Sequence, residues 1–338
     1  MGNPNDFITF NYMYKALKIV CRNVRWKTSV TQYEMNGLKN TAKNIREIRT
    51  GKYKLQPYQE FDIYEPKFRH ITATRIKDRQ VQRSLCDAYV YDAITKSFIY
   101  ANGACQNNKG TLFVAKEFKK QLRRYYQKHS TSGYYLKCDI HKFFDSIDHD
   151  YAKMCIAKRV SDPLAQKLLF DIIDSFKSDK GIGLGSQISQ LVALSCLDDL
   201  DHIIKEVYHI STYVRYMDDF ILVDPDKEKL KEMKSMIEAH LNSIGLSLNT
   251  KTTLQPLKRG ILFLNWKYYI TDTGKVVMIP DKHKLARKRR KIKKLLKKYI
   301  YNELSAETLK QITDGMIAHL KTGNATKAIK EIQQMIPL

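Results

Sequence analysis

The sequence is short of acidic residues: 35 Asp and Glu stand against 59 Lys and Arg, a formal net charge of +24 over 338 residues. So large an excess repels itself unless a polyanion neutralises it, and nucleic acid is the commonest such partner; the bland alternative is a solubilising basic surface. Long apolar runs are also missing. None reaches the roughly 20 residues that cross a bilayer, and the N-terminus lacks the basic-then-apolar order of a signal peptide, so no membrane partner is expected. The six cysteines (Cys21, Cys86, Cys105, Cys138, Cys155 and Cys196) are scattered without a Cys-x-x-Cys pair. That argues against a disulfide framework and a zinc site, and for a reducing, cytoplasmic setting. No segment repeats. What is present is an ordinary globular mixture, 43% apolar and 28% charged, long enough for two or three subdomains. Its 21 Tyr and 13 Phe supply rings that can stack on bases.

Periodicity organises the chain. Tyr14, Leu17 and Cys21 fall at helical spacing, and the pattern predicts a second helix from about Thr31 to Arg49, with Leu38, Ile45 and Ile48 on one face and Gly51 as its cap. From Tyr53 to Ile76 the pattern is strand-like, interrupted by Pro57 and Pro66. Asp78–Tyr91 is helical, 101–111 is an Asn/Gly loop, and Lys116–Lys128 is a charged helix. A strand, Tyr134–Ile140, carries a carboxylate at its end. Helical spacing over Asp162–Phe176, a glycine turn at Gly181–Gly185 and a long helix from Gln187 come next. Strand–turn–strand is expected around Asp218-Asp219, then a helix over Lys227–Ser243 and strands in Leu246–Leu254 and Ile261–Ile270. This order predicts an α+β fold whose sheet is covered by helices on one face. Between Lys282 and Lys298 a dense basic run keeps an apolar stripe (Leu285, Ile292, Leu295, Leu296, Tyr299). It reads as an amphipathic helix with Arg287, Arg289, Arg290, Lys293 and Lys294 available to phosphates, or else as a merely solvated helix.

Nucleotide transfer needs two metal ions about 4 Å apart on hard oxygen ligands, so carboxylates must converge from separate parts of the chain. Asp139 at a strand end and Asp218-Asp219 at a hairpin tip meet that need. Adjacent aspartates are poor ordinary turn chemistry, because turns favour Asn-Gly or Asp-Gly and paired like charges cost energy without a cation. Asp145 and Asp148 read as turn or cap residues.

Tyr216-Met217-Asp218-Asp219 resembles the signature of reverse transcriptases, and Asp139-Ile140-His141-Lys142-Phe143-Phe144-Asp145 resembles their first palm motif. The resemblance implies a right-hand polymerase fold: an N-terminal helical extension (1–50), fingers (51–134), palm (135–280) and a short basic helical thumb (281–338). It implies RNA-directed DNA synthesis with two Mg2+ ions, an RNA template, a DNA primer and deoxynucleoside triphosphates. Asp139, Asp218, Asp219 and the Ile140 carbonyl would hold metal. Phe144 matches the position whose ring excludes a ribose 2′-hydroxyl, although one of Phe143 and Phe144 is expected in the core. Residues 69–82 resemble the fingers of group II intron-type enzymes, with His70 and Thr74 where prolines are usual; Lys67 and Arg69 fall where that family places triphosphate-binding cations, or are ordinary surface charges. Gly245–Thr252 resembles the next palm motif; its Lys251 sits near the triphosphate or is simply exposed. Phe263-Leu264-Asn265-Trp266 resembles the primer-gripping hairpin (Phe263, Leu264 and Trp266), with Asn265 in place of glycine.

At Leu184-Gly185-Ser186-Gln187-Ile188-Ser189-Gln190 most family members have Gln-Gly-x-x-x-Ser-Pro. The apolar first residue and the final Gln resemble the enzymes of diversity-generating retroelements, which copy a template-repeat RNA and misincorporate opposite adenine. Leu184, Gly185 and Gln190 would then meet the incoming nucleotide. A Gln there hydrogen-bonds where Leu only packs, and losing a directed polar contact lowers discrimination. The same resemblance implies a small basic accessory protein and structured RNA as partners, and the length leaves no room for maturase, endonuclease or RNase H domains. The rivals are another small bacterial reverse transcriptase of the retron or phage-defence type, an RNA-dependent RNA polymerase, and a non-catalytic RNA-binding relic.

Overall fold

The structure, a computed structural model, describes residues 4–64 and 68–336. Among the described residues, nine strands form three antiparallel sheets. A hairpin of β1 (Gln59–Ile63) and β2 (Arg69–Ala73) stands apart. The central sheet contains β3 (Tyr134–Asp139), β4 (Thr212–Tyr216), β5 (Asp219–Asp224) and β6 (Thr253–Pro256), in the order β4-β5-β3-β6. A third sheet orders β7 (Ile261–Phe263), β8 (Trp266–Ile270) and β9 (Val276–Pro280) consecutively.

The central sheet is apolar on both faces, and the period-2 alternation of its strands sorts them into two cores. Leu136, Cys138, Tyr213, Phe220 and Leu222 face one core, with Leu230, Met233, Ile237 and Leu241 of the helix Lys227–Ser243 and with the helices His149–Ala157 and Gln187–Ser195. Tyr135, Val214, Ile221 and Val223 face the other, with Phe118 and Leu122 of the helix Thr111–His129 and with Phe263 and Tyr268 of the third sheet. Helices on one face were expected; the second face is covered as well. This double burial explains why Phe220-Ile221-Leu222-Val223 is uninterruptedly apolar.

Three helix and strand bounds depart from the sequence pattern. The stretch predicted as one helix over Thr31–Arg49 is two, Thr28–Met35 and Gly37–Arg49. The second begins where a Cβ on Gly37 would lie 2.8 Å from Leu17 Cδ2, so the close crossing over the helix Phe10–Cys21 sets the break. Ile45 and Ile48 are buried as expected, but Leu38 is exposed. Gly51, at φ 66°, does end this helix, with Lys52 N–H donating to Glu47 O and Gly51 N–H to Ile48 O. The strand expected over Leu246–Leu254 is confined to Thr253–Pro256. Before it, Asn249 Oδ1 accepts from Lys251 N–H at 3.1 Å, and this local turn replaces the ladder. The helix starting at Gln187 stops at Ser195 and resumes as Asp198–His202.

The basic run forms the helix Lys282–Ile300, capped by Asp281, whose carboxylate accepts from Lys284 N–H at 2.8 Å. Ile292 is fully buried and Leu285 and Leu296 partly so, against the helices Ala306–Lys321 and Thr326–Gln334.

Candidate active site

The register of the central sheet brings the aspartates together. Asp139 ends β3 directly opposite Asp219, the first residue of β5. Tyr216 pairs with Asp219 across β4 and β5, so Met217 and Asp218 make a two-residue turn beside that pair. Met217 takes φ 57°, a left-handed value that costs a side chain about 1 kcal/mol or more and must be held by its surroundings.

Asp219 sits in a strongly perturbing environment. Its Oδ1 is buried without a hydrogen-bond partner, and its Oδ2 lies 3.5 Å from Lys137 Nζ. Burial pushes its carboxyl up to about 7; Asp139 and Asp218 add to the rise, and Lys137 opposes it. An orphaned carboxylate oxygen beside two further carboxylates is what a hard divalent cation would satisfy. Among the described residues no three His, Cys, Asp or Glu side chains close into a ready-made metal cluster. The residues present therefore fit a hard divalent ion held by one or two carboxylates. The Ile140 carbonyl adds a candidate donor. The bridge between Ile140 and Leu248 is bonded through its neighbours, Asn249 N–H to Asp139 O at 2.7 Å and His141 N–H to Ser247 O at 2.9 Å.

Asp219 couples stability to pH. Its folded value lies above that of an unfolded aspartate, so the native state keeps a proton that the unfolded chain releases between about pH 4 and 7. Metal-free protein therefore loses stability as pH rises through that window, by at most about 4 kcal/mol from this group. Asp219→Asn should remove the slope and raise the melting temperature in EDTA at pH 8. Thermal scans across pH 5–8 without metal check this; an unchanged slope contradicts it.

Around the aspartates the sequence-derived candidates separate. Phe143 is core, while Phe144 is half-buried and packs edge-on against it at 5.5 Å. Asp148 is a cap, accepting from Tyr151 N–H at 3.0 Å. The glycine turn lies against β2: a Cβ on Gly185, at φ 141°, would come 3.0 Å from Thr72 O. Leu184 beside it is half-buried. Gln190, one helical turn on, accepts from the Cys105 thiol at 2.9 Å. Arg69 is exposed at the start of β2, and Lys67 lies outside the described residues. Lys251 is exposed on the turn that Asn249 ties to Asp139.

The β7–β8 hairpin presents less than expected. Phe263 and Trp266 point into the core, Phe263 against Phe118 and Trp266 stacked on His319 at 5.3 Å, so neither ring is available to a primer. Leu264 and Asn265 form the tip, both with positive φ (47° and 71°). Two left-handed residues in a two-residue loop are what Asn tolerates, which accounts for Asn265 where glycine is usual. On the basic helix Arg287, Arg290, Lys293 and Lys294 are exposed, whereas Arg289 is drawn into an ion pair with Glu331.

Sequence reasoning missed Lys137. It stands two residues before Asp139, hence on the same face of β3, and its ammonium also donates to Leu262 O at 3.1 Å. It thereby links Asp219 to the β7–β8 hairpin. The alternation of β3 would have found it.

The family model described as reverse transcriptase (RNA-dependent DNA polymerase) matches residues 59–266. No curated protein matches the chain significantly. Among solved structures, apo telomerase from Candida tropicalis aligns with a TM-score of 0.51 at 14% identity, over 70% of this chain and 51% of that one. Telomerase from Candida albicans, in complex with a TWJ fragment of telomeric RNA, aligns with a TM-score of 0.50 at 12% identity, over 68% of this chain and 47% of that one. The chain spans about half the length of these structures, and likeness at such identity concerns the fold alone.

Proposed function

This chain belongs to the reverse transcriptase family, and we propose that it is an RNA-directed DNA polymerase working through Asp139, Asp218 and Asp219. The observation that carries this reading is the pairing of Asp139 with Asp219 across β3 and β5, beside the Asp218 turn, with one Asp219 oxygen buried and unsatisfied. Asp139, Asp218, Asp219 and the Ile140 carbonyl would hold two Mg2+ ions, which when bound lower the pKa of the primer 3′-hydroxyl and stabilise charge on the transferred phosphorus. In this reading the chain's own residues do the positioning. The Phe144 ring closes the space a 2′-hydroxyl would need. Lys67, Arg69 and Lys251 neutralise the triphosphate, and the exposed cations of the helix Lys282–Ile300 follow the template–primer backbone. The Leu264–Asn265 tip is what the β7–β8 hairpin offers to a primer.

The finer reading is mutagenic copying of a template-repeat RNA for a diversity-generating retroelement, with a small basic accessory protein as partner. It is supported by Leu184, apolar and half-buried on the turn against Thr72, and by Gln190 on the following helix. A side chain that only packs there gives no directed contact by which a misplaced nucleotide is rejected. Products copied from an RNA template should carry errors concentrated opposite adenine. Leu184→Gln should reduce them by about 10-fold with little loss of rate, the scale of one polar contact. Accurate copying by the unmodified protein, with accessory protein and cognate RNA supplied, would leave the alternative, a small bacterial polymerase of the retron or phage-defence type.

A further inference from the structure

One charge sits where a sheet strand should be apolar. Arg215, the fourth of the five residues of β4, is fully buried and is the largest side chain in that state among the described residues. Its partner Asp201, on the short helix Asp198–His202, is equally inaccessible. Arg215 Nε donates to both carboxylate oxygens, at 2.8 and 2.9 Å, and Nη2 donates to Oδ2 at 2.6 Å. The Tyr213 hydroxyl donates to Asp201 Oδ1 at 2.5 Å. The remaining arm of the guanidinium turns the other way: Nη1 donates to the carbonyl of Met217 at 3.1 Å. Met217 is the left-handed residue of the turn, immediately before Asp218. The backbone of Arg215 is fixed too, its N–H donating to Ala101 O and its carbonyl accepting from Gly103 N–H, both at 3.2 Å.

Stability alone does not account for this pair. Desolvating both ions offsets most of their attraction, and well-packed apolar residues in their place are commonly neutral or stabilising. A guanidinium does something an apolar chain cannot. Its planar fork joins a rigid anchor, Asp201, to a carbonyl in a strained turn, and fixes both in one geometry. A left-handed non-glycine residue persists only where its surroundings over-determine it, and the Arg215 arm is one such constraint.

We propose that Arg215 is a positioning residue for polymerisation: anchored on Asp201, it fixes the Met217 carbonyl and so the direction in which the turn presents Asp218. The proposal rests on reading Asp218 as a metal-holding carboxylate, and it deepens that reading.

The test uses the full chain and primer extension on an RNA template with Mg2+, and the unmodified protein is measured first. If that protein does not extend primers, the functional reading fails and not this inference. Arg215→Lys keeps a cation for Asp201 but has no second arm for the turn. Tyr213→Phe removes a hydrogen bond to the same Asp201 oxygen without touching the turn, and serves as the stability control. Arg215→Lys should lower kcat about 100-fold, the scale of an ångström-sized misplacement. It should also raise the Mg2+ concentration for half-maximal rate severalfold, with primer–template binding unchanged. Tyr213→Phe should lower the melting temperature comparably yet keep kcat within about threefold. Should Arg215→Lys not fold, Arg215→Met combined with Asp201→Leu decides; it leaves no buried charge unpaired and should fold with the same loss of kcat. Near-normal kcat and Mg2+ dependence in a folded Arg215 variant would overturn the proposal, as would equal losses in Tyr213→Phe and Arg215→Lys.

Discussion

Asp139→Asn and Asp218→Asn should each lower DNA synthesis by about 1,000-fold or more, while primer–template binding and melting temperature stay near those of the unmodified protein. The amide keeps the shape of the carboxylate and removes its charge. What is lost is metal-assisted stabilisation of the transferring phosphoryl group, worth several kcal/mol, and each ~1.4 kcal/mol is tenfold in rate. Asp139 is the last residue of β3 and Asp218 lies in a turn, where an amide of the same shape is accommodated. Asp219→Asn should cost less, because Lys137 already meets one of its oxygens, and it should remove the pH dependence of stability that this carboxyl contributes. Single-turnover extension of the three variants on one primed RNA ranks them. Near-normal rates for Asp139→Asn or Asp218→Asn would remove the metal assignment.

Phe144→Ala should open the site to ribonucleotides, raising their incorporation relative to deoxynucleotides by about 100-fold, the scale of relieving a steric clash of a few kcal/mol. Phe144 is only half-buried and braced edge-on by the core residue Phe143, so it has both the exposure to meet a sugar and the support to resist displacement. The variant should stay folded, since Phe144 is only partly buried against the core whereas Phe143 lies within it. Competition between dNTP and rNTP on one template reads the ratio directly. An unchanged ratio would place the 2′-hydroxyl elsewhere.

The strands that carry the three aspartates were legible because their chemistry interrupts their pattern. Asp139 closes an alternating strand, and Asp218-Asp219 split an apolar run at the one place where a two-residue turn fits. The helix Lys227–Ser243 was legible from apolar positions recurring at helical spacing, and Asp226 caps it. Less visible were features that depend on a distant partner. Nothing local tells that Gly37 restarts a helix against Leu17, or that Leu38 faces outward. Phe263 and Trp266 are aromatic residues beside a tight turn, a pattern common to grips and cores alike, and only the packing against Phe118 and His319 assigns them inward. The pair Arg215 and Asp201 is 14 residues apart in sequence. A charge inside Thr212–Tyr216 was the one signal of it, readable as a demand for a buried partner though not as the identity of that partner.

The most direct test is extension of a DNA primer annealed to an RNA template by the purified chain, with Mg2+ and deoxynucleotides, beside the Asp139→Asn protein. The account predicts template-directed DNA products from the unmodified protein and essentially none from the variant. Absence of products from the unmodified protein, with accessory protein and cognate RNA supplied, would contradict it, as would equal products from both.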